Sequence, residues 1–571
     1  MASTTAVEPE RPNKTALVVA ASATGTAFEW YDFFIFGALA AVIARQFTGG
    51  DDTAGFIFAL GAFAAGFFVR PFGALFFGRF GDRVGRKAAF LATITLMGGA
   101  TVAIGLLPTA DQIGPAAAGL LVLMRVIQGF ALGGEYGGAA IYVAEHAPDE
   151  RRGFFTSWIN VTAGIGLVLA LGVVFATRTL LGEDRFADWG WRLPFLLSAV
   201  LLAVSLLIRM RLDESPAFVR MKSEQGVSKA PFSEAFGRWS NLRLVLLALF
   251  AIMLAQGAVW YAGHFYAQFF LERVLKVPGP TVNVLLIGAV AVSAPLYVFF
   301  GWLSDRIGRK PVILFGMIVF VASAYPGFRV MSEAANPALI EAARRAPVTL
   351  RASDCTFQLD LLGRAKPVTA CDIAKRALVD AGVSYETRPV RAGEVAAVYV
   401  DFGSNNDNAP PEYFFGDGDA GSATGRSVQE LRSAVSLNGA AAEQVRLETT
   451  VGIRNVLTTA GYPTAADPAR INLPVVFGVL LVFMVAATAL YGPQAAALVE
   501  LFPTRVRYTA LSLPYHIGTG WVGGFLPVTA FAMVAASGDL YFGLWYPIVF
   551  TAISILVTLF LLPETKGRPL D

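Results

Sequence analysis

Twelve long stretches of mostly apolar residues alternate with polar segments along the chain. About 20 apolar residues in a helix cross the hydrocarbon core of a bilayer, so each stretch predicts one membrane-spanning helix. We number these spans 1 to 12: 16–44, 54–78, 88–108, 116–144, 154–178, 191–210, 242–270, 281–302, 311–331, 472–499, 509–536 and 541–562. The first stretch is longer than the core of a signal peptide, and we interpret it as an uncleaved span.

The polar segments divide the spans into two groups of six. The predicted units are an N-terminal tail, a six-helix half, a linker, spans 7–9, an insert, spans 10–12 and a C-terminal tail, at 1–15, 16–210, 211–241, 242–331, 332–471, 472–562 and 563–571. The predicted fold is an all-α membrane protein of two six-helix halves with a small inserted α/β-type domain.

Lys and Arg cluster in the loops after the even-numbered spans, such as Arg151 and Arg152 after span 4 and Arg209 and Arg211 after span 6. The other loops are short, mixed or acidic. Because basic loops stay in the cytoplasm, both termini are expected there, in the inner membrane, and the insert is expected outside it.

Composition narrows the function classes. Only 15% of the residues are charged and 55% are hydrophobic, whereas a soluble chain carries about 25% charge. A dispersed net charge of +3 does not indicate nucleic-acid binding, and three His and two Cys favour neither a metal centre nor another cofactor.

A ten-residue pattern after span 2, GRFGDRVGRK, returns after span 8 as GWLSDRIGRK. Its glycines permit close helix contact, and its charges predict a cytoplasmic latch between the halves; an ordinary basic loop is the alternative. The latch candidates are Gly78, Asp82, Arg83, Arg86, Gly301, Asp305, Arg306 and Arg309. Later repeats, Glu145 with Glu500 among them, are about 130 residues further apart. The insert accounts for that difference, and two parallel repeats for the rest.

The insert has its own pattern, with a helix predicted at 372–381, a strand at 395–400 and turns at 404–419. Its Cys355 and Cys371 are the only cysteines of the chain, and outside the cytoplasm they can form a disulfide. Closing a loop of about 15 residues contributes about 3 kcal/mol. Two unpaired thiols are the alternative. No chemistry is predicted for the insert.

Charged side chains inside spans are costly and mark function or pairing. Glu29 and Asp32 share one face of span 1, and two close carboxylates in a low dielectric favour proton uptake by one of them. We assign both, with Glu135 of span 4, to proton coupling. The alternative is that one carboxylate pairs permanently with an arginine.

Arg125 and Arg70 are candidate substrate contacts, because a guanidinium matches a carboxylate. A structural Arg–Glu pair is the alternative for Arg125, and a structural role is also open for Arg70. The remaining candidates for substrate binding are Gln128, Tyr136, Gln256, Tyr261 and His264. The aromatic side chains could instead pack or anchor at the interface, and His264 could simply bind a backbone carbonyl.

Five stretches resemble the metabolite:proton symporters of the major facilitator superfamily. Beyond the two latch loops, they are Glu29-Trp-Tyr-Asp-Phe-Phe, Arg70-Pro-Phe-Gly, Arg125-Val-Ile-Gln-Gly, Gly133-Gly-Glu-Tyr and Glu500-Leu-Phe-Pro-Thr-Arg. That group includes shikimate, α-ketoglutarate, citrate and proline/betaine carriers. The resemblance covers nearly all of the chain except 332–471, and the large insert departs from the shorter carriers of the group.

The resemblance and the buried charges imply a proton-coupled symporter that imports a small organic acid, such as shikimate or a di- or tricarboxylate, by alternating access. A proline/betaine carrier is the alternative; a membrane sensor or an enzyme in the insert is a weaker one. The absence of a Gly-x-x-x-x-Gly-Lys-Ser/Thr loop argues against an ATP-driven pump. The expected partners are a small organic anion or zwitterion, a proton and lipid, and one chain is expected to suffice.

Overall fold

The computed structural model describes residues 12–48, 52–224, 226–356, 367–390, 394–402, 425–437 and 439–570. Helices occupy all twelve predicted spans: Pro12–Ala38, Asp52–Arg83, Arg86–Leu106, Ala116–His146, Arg152–Leu181, Arg192–Met210, Trp239–Val274, Gly279–Ile307, Arg309–Ala335, Leu473–Leu501, Arg507–Ser537 and Trp545–Phe560. Spans 3 to 12 contain the ten helices of the described chain that are long and apolar enough to cross a membrane. The chain is therefore a multi-pass membrane protein.

The N-terminal region differs from the prediction at both of its boundaries. The helix of span 1 begins at Pro12, inside the predicted tail, and residues 1–11 lie outside the described part. The apolar stretch predicted as one span forms two helices, because a turn at Leu39 separates span 1 from Ala40–Thr48. The linker is also helical, at Pro216–Glu224 and Pro231–Phe236.

Glycines bring neighbouring spans into backbone contact. A Cβ atom added to Gly133 of span 4 would lie 2.2 Å from the carbonyl oxygen of Arg70 in span 2. In the second half, a Cβ atom at Gly257 of span 7 would lie 2.0 Å from the carbonyl oxygen of Gly518 in span 11. Small residues permit this closeness where lipid supplies no hydrophobic force between helices.

Spans 7 and 11 are irregular at the level of the bilayer. Span 7 contains π-helical turns at Leu249–Met253, Ala262–Tyr266 and Phe270–Val274, and span 11 contains one at Ile517–Gly523. Such turns commonly mark functional sites, and these lie beside the close crossing of the two spans.

The described residues of the insert form a four-stranded sheet with helices. Its strands are β1 (Val348–Arg351), β2 (Tyr385–Arg388), β3 (Ala397–Phe402) and β4 (Gly425–Glu430), in the order β2-β1-β3-β4. β1 is parallel to β2 and antiparallel to β3, and β3 is antiparallel to β4. The helices are Pro337–Arg345, Ala370–Asp380 and Gly439–Thr459.

Two predicted elements of the insert match this sheet and its helices. The helix predicted at 372–381 is Ala370–Asp380, and the strand predicted at 395–400 is β3. The turns predicted at 404–419 lie outside the described residues. Cys355 and Cys371 have Cα atoms 5.0 Å apart and form a disulfide in this structure; whether it forms in the cell stays a prediction.

The insert is bound to the ends of spans 7 and 11. The Tyr385 amide donates to the carbonyl oxygen of Gly538 (2.9 Å), just beyond span 11. The Asn336 side chain donates to the carbonyl oxygen of Leu275 (3.0 Å), and the Ala466 amide donates to that of Lys276 (3.0 Å), both just beyond span 7. Backbone groups of the second half therefore hold the insert in place.

Candidate functional site

Glu29 of span 1 pairs with an arginine that the sequence places in a loop. Arg209 donates from Nη1 to Glu29 Oε1 at 2.9 Å, and both side chains are 1% exposed. The Arg209 guanidinium also lies 3.5 Å from the centre of the Phe90 ring. Its assignment to the cytoplasmic cluster after span 6 is corrected: Arg209 is the last basic residue of the helix and points into the protein.

Asp32, one turn further along span 1, has a different environment. It is 6% exposed and accepts a hydrogen bond from Ser198 of span 6 at 2.5 Å. Thr101 of span 3 lies beside it as well. Among the described residues, Asp32 has no ion pair. The polar neighbours of this buried carboxyl are therefore the hydroxyl groups of Ser198 and Thr101 and the carboxyl of Glu29.

Arg125 lies in the same half and begins a polar chain towards span 3. Its Nη1 donates to Gln128 Oε1 at 2.8 Å, and Gln128 Nε2 donates to Thr101 Oγ1 at 2.7 Å. The guanidinium lies over the Phe36 ring, 4.1 Å from its centre. Thr101 therefore links the predicted substrate contact Arg125 to the surroundings of Asp32.

Arg70 is buried (4% exposed) between the two halves. Its guanidinium lies 3.9 Å from the centre of the Phe67 ring, and Tyr261 of span 7 is its hydrogen-bonding neighbour. Within the described ranges, its Nε and Nη2 atoms have no hydrogen-bond partner. A buried guanidinium with unused donors is suited to bind an anion.

Glu135 lies near this guanidinium and near Glu29. The structure therefore brings the three predicted proton-coupling carboxyls to one region of the first half, with Arg209 and Arg70 at its edges.

Aromatic rings of both halves surround Arg70. Tyr136 of span 4 stacks on Tyr515 of span 11, with ring centres 3.8 Å apart and planes 8° apart. Tyr261 packs edge-on against Phe67 at 6.1 Å. Gln256 is fully buried, and neither polar atom of its side chain has a hydrogen-bond partner in the part of the chain that the structure describes.

His264 has the geometry of the structural alternative that the sequence left open. Its Nδ1 lies 2.8 Å from the carbonyl oxygen of Trp260, and its ring stacks on Trp260 with centres 4.4 Å apart. His516 of span 11, which was not among the candidates, is 1% exposed and lies near Arg70.

The first latch loop joins the two halves at one end of the molecule. Asp82 accepts hydrogen bonds from the backbone amides of Tyr508 (3.2 Å) and Thr509 (2.9 Å), which begin span 11. It also pairs with Arg86 at 2.9 Å, and Arg86 Nη2 donates to the carbonyl oxygen of Thr504 at 2.7 Å. Gly78 packs against Thr509.

The second latch loop repeats these contacts with the halves exchanged. Asp305 accepts from the amides of Gly153 (2.8 Å) and Phe154 (2.7 Å) at the start of span 5 and pairs with Arg309 at 2.6 Å. Gly301 packs against Gly153. In both loops the aspartate therefore binds the first amides of a helix in the opposite half, as expected for an acid at a helix N-terminus.

Two further carboxylates complete the closed end. Glu145 pairs with Arg507 at 2.7 Å, and Glu500 pairs with Arg152 at 2.8 Å and with Arg309 at 3.0 Å. The predicted latch residues Arg83 and Arg306 are exposed; Arg306 lies over the Trp302 ring, and Arg83 has no ion pair in the described chain. In each loop the arginine four residues after the aspartate, rather than the adjacent one, binds the aspartate.

This twofold arrangement agrees with a comparison of the whole chain with known families. The model of the sugar (and other) transporter family matches residues 17–236 and 451–571. The chain belongs to this family. The matched parts contain the first latch loop, the charged region of the first half and spans 10 to 12, and the second latch loop lies between them.

Relatives of this family member include carriers of small metabolites. The proline/betaine transporter of Escherichia coli (strain K12) is 38% identical over 323 residues, which cover 54% of this chain and 63% of that one. The shikimate transporter of the same strain is 36% identical over 314 residues, which cover 54% of this chain and 70% of that one. The chain thus spans less than two thirds of the proline/betaine transporters.

Solved structures show the same fold. The proton:xylose symporter XylE of the major facilitator superfamily, bound to 6-bromo-6-deoxy-D-glucose, aligns with a TM-score of 0.59 and 14% identity over 98% of both chains. The resemblance to that superfamily is confirmed at the level of fold and family. Family membership also supports the expectation of a transporter rather than an enzyme.

Two residues of this candidate site, Arg209 and His516, were not predicted from the sequence. Arg209 lies one residue before the end of a mostly apolar helix, and that position was a signal that its side chain could turn inwards. His516 follows Tyr515 in a span rich in polar residues, but nothing in the sequence indicates that it approaches Arg70 of the other half.

Proposed function

We propose that the protein is a proton-coupled symporter that imports a small carboxylate-bearing metabolite by alternating access of its two halves. The carrying observation is the buried guanidinium of Arg70, whose Nε and Nη2 have no hydrogen-bond partner among the residues that the structure describes and which lies between the halves. A solute carboxylate would satisfy both donors in a bidentate pair.

Proton coupling is assigned to the carboxyls beside this position. Asp32 is buried and has no ion pair with any described residue, and Glu135 lies next to Glu29 and near Arg70. Ionisable groups inside membrane spans commonly form proton relays. A change in the occupancy of Arg70 would change the field at Glu135 and so link solute binding to proton binding.

A zwitterion such as betaine or proline is a second candidate. The aromatic rings around Arg70 favour it, because Tyr261, Tyr136 and Tyr515 present faces or edges within the same region. A quaternary ammonium group binds such rings through cation–π contacts. The carboxylate of a zwitterion would still occupy Arg70. An organic acid without a cation needs only the arginine and hydroxyl donors.

Orientation follows from the loops. We place the latch and both termini in the cytoplasm and the insert outside the inner membrane, since the basic residues cluster on the latch side. The structure then has its cytoplasmic end closed by the latch.

The test is uptake of labelled shikimate, dicarboxylates, aromatic acids and betaine by cells that express the protein, with and without a protonophore. We expect accumulation of one solute class that the protonophore abolishes. Arg70→Lys keeps the charge but loses the planar fork and should abolish uptake. Arg79→Lys, at an exposed position two turns along the same helix, should not. Uptake indifferent to the protonophore would overturn proton coupling, and normal uptake by Arg70→Lys would overturn its role.

A further inference from the structure

A cavity of about 330 Å³ lies where the insert meets the end of span 7. It is separate from the latch and from the region around Arg70. Its lining includes Lys276, Asp380, Arg454, Tyr462 and Thr464, with Ala377, Val383 and Leu457 as apolar walls. The volume is at the lower end of cavities that hold small molecules.

Positive charge dominates this cavity. The ammonium of half-buried Lys276 donates to the carbonyl oxygen of Asp380, and both Arg273 and Arg454 lie near enough to repel it. Arg454 has no ion pair in the described chain. The Asp380 carboxylate is shared with Arg376, at 3.5 Å. Cations therefore exceed carboxylates around the opening.

The surroundings of Lys276 disfavour the charged form of its side chain. Burial lowers its pKa, Arg273 and Arg454 lower it further, and Asp380 opposes them. Its φ of 58° is the one positive value for a residue other than glycine among the described residues. Hydrogen bonds fix that backbone: the Ala466 amide donates to the Lys276 carbonyl at 3.0 Å, and the Val277 amide donates to that of Leu271 at 2.9 Å.

We propose that this cavity binds a small oxyanion, a carboxylate or a phosphate, between Lys276 and Arg454. A bound anion offsets the positive charge of Lys276, Arg273 and Arg454, and the hydroxyl of Thr464 adds a hydrogen-bond donor. Because Arg454 belongs to the insert and Lys276 lies just beyond span 7, the bound anion connects the insert to the span that carries Gln256 and Tyr261. The source is either a free anion or a phospholipid headgroup.

Binding is tested with the full-length protein, purified in detergent and stripped of lipid, by calorimetric titration with citrate, inorganic phosphate and a short-chain phosphatidylglycerol. We expect saturable binding of at least one probe that Arg454→Gln and Lys276→Gln weaken by about tenfold or more. Arg432→Gln, at an exposed insert arginine away from the cavity, is the matched control and should bind normally.

The same titration in an Arg70→Gln background separates this cavity from the proposed transport site. Binding that persists there and is lost with Arg454→Gln supports the cavity, even if the proposed transport function fails. A response to the lipid alone identifies a headgroup as the source, and a response to citrate or phosphate identifies a free anion. Absence of binding by all three probes, or equal binding by wild type, Arg454→Gln and Lys276→Gln, would overturn the proposal.

Discussion

Glu29 and Asp32 lie one helical turn apart, yet their side chains have different surroundings. Glu29 has the guanidinium of Arg209 at 2.9 Å, whereas Asp32 accepts a hydrogen bond from Ser198 and has no ion pair within the described chain. A paired buried carboxylate is stabilised in its charged form, while an unpaired one in the same dielectric can exchange a proton when its surroundings change. The proposed coupling role therefore falls mainly on Asp32, and Glu29 holds spans 1 and 6 together.

Asp32→Asn is expected to abolish gradient-driven accumulation of the solute while leaving its exchange across the membrane. The amide keeps the size of the side chain and its contact with Ser198 but cannot carry the proton. Accumulation and counterflow in proteoliposomes measure the two activities. Asp111→Asn, at an exposed position between spans 3 and 4, is the control. Wild-type accumulation by Asp32→Asn would exclude Asp32 from coupling.

Glu29→Gln is expected to destabilise the protein by about 3 kcal/mol, because it leaves the charge of Arg209 buried without its partner. Combining it with Arg209→Met should recover most of that loss, since replacing both members of a buried pair is often neutral. Thermal unfolding of the purified variants in detergent measures this cycle. Equal stability of wild type and Glu29→Gln would show that the nearby Glu135 already compensates Arg209.

At the scale of elements, the latch and the docked insert depend on backbone groups more than on charge pairs. Each latch aspartate binds two amides at the start of a helix in the opposite half. These bonds exist only while the halves are closed at this end. The same loops in an open state would expose both aspartates to water.

Asp82→Asn should therefore shift the protein towards the state open on the latch side. An amide oxygen binds helix N-terminal amides less strongly than a carboxylate does, by about 0.3–1 kcal/mol at an exposed terminus and more when buried. Distances between spin labels at Glu150→Cys and Ile307→Cys, on opposite halves, report the opening.

Arg83→Gln is the control for this experiment, because Arg83 belongs to the same pattern but is exposed. It should leave the distance distribution unchanged. An equal shift with Arg83→Gln would favour the alternative, a cluster whose charge matters only for orientation.

Glycine at position 382 is expected to be essential for docking of the insert. Gly382 has φ 72°, and a Cβ atom there would lie 2.0 Å from the carbonyl oxygen of Val274 in span 7. Gly461 also follows an insert helix with positive φ, 86°, but has open space around it. Both alanine variants incur backbone strain of about 1–2 kcal/mol, and only Gly382→Ala also meets the span.

Hydrogen exchange at the amides of Tyr385 and Ala466 measures that docking. It should accelerate more in Gly382→Ala than in Gly461→Ala, and the melting temperature should fall further. Similar exchange in the two variants would mean that the strain alone matters and that the contact with Val274 is dispensable.

At the scale of the molecule, the sequence predicts which segments form spans better than it predicts their partners. Lengths of apolar stretches gave helices at all twelve positions, because burial in lipid depends on local composition. The pairing of Glu29 with Arg209 depends on the packing of spans 180 residues apart in the chain. The choice of Arg86 over Arg83 as the partner of Asp82 depends on the rotation of the helix end, which a repeat pattern does not contain.

The insert shows the same limit. Its predicted helix and strand lie where the structure has them, since each has a local pattern. The sheet order β2-β1-β3-β4 mixes parallel and antiparallel neighbours from distant segments. The ends of spans 7 and 11 accept hydrogen bonds from the insert through backbone carbonyl groups. Residue types do not reveal which carbonyl groups these are, except where a glycine permits close contact.

Removing the insert should leave a working transport core. Its two ends meet, because the Asn472 amide donates to the carbonyl oxygen of Ala334 at 2.8 Å, so a short Gly-Ser linker can replace residues 337–471. The insert contacts the ends of spans 7 and 11 rather than the region of Arg70 or the latch. The shortened chain is therefore expected to reach the membrane and accumulate the solute, while losing the citrate or phosphate binding assigned to Arg454.

Uptake by cells is measured beside surface expression, with Arg70→Lys in the shortened chain as the inactive control. A shortened chain that is folded and inserted but does not transport would show that the insert acts on span 7 during the cycle itself.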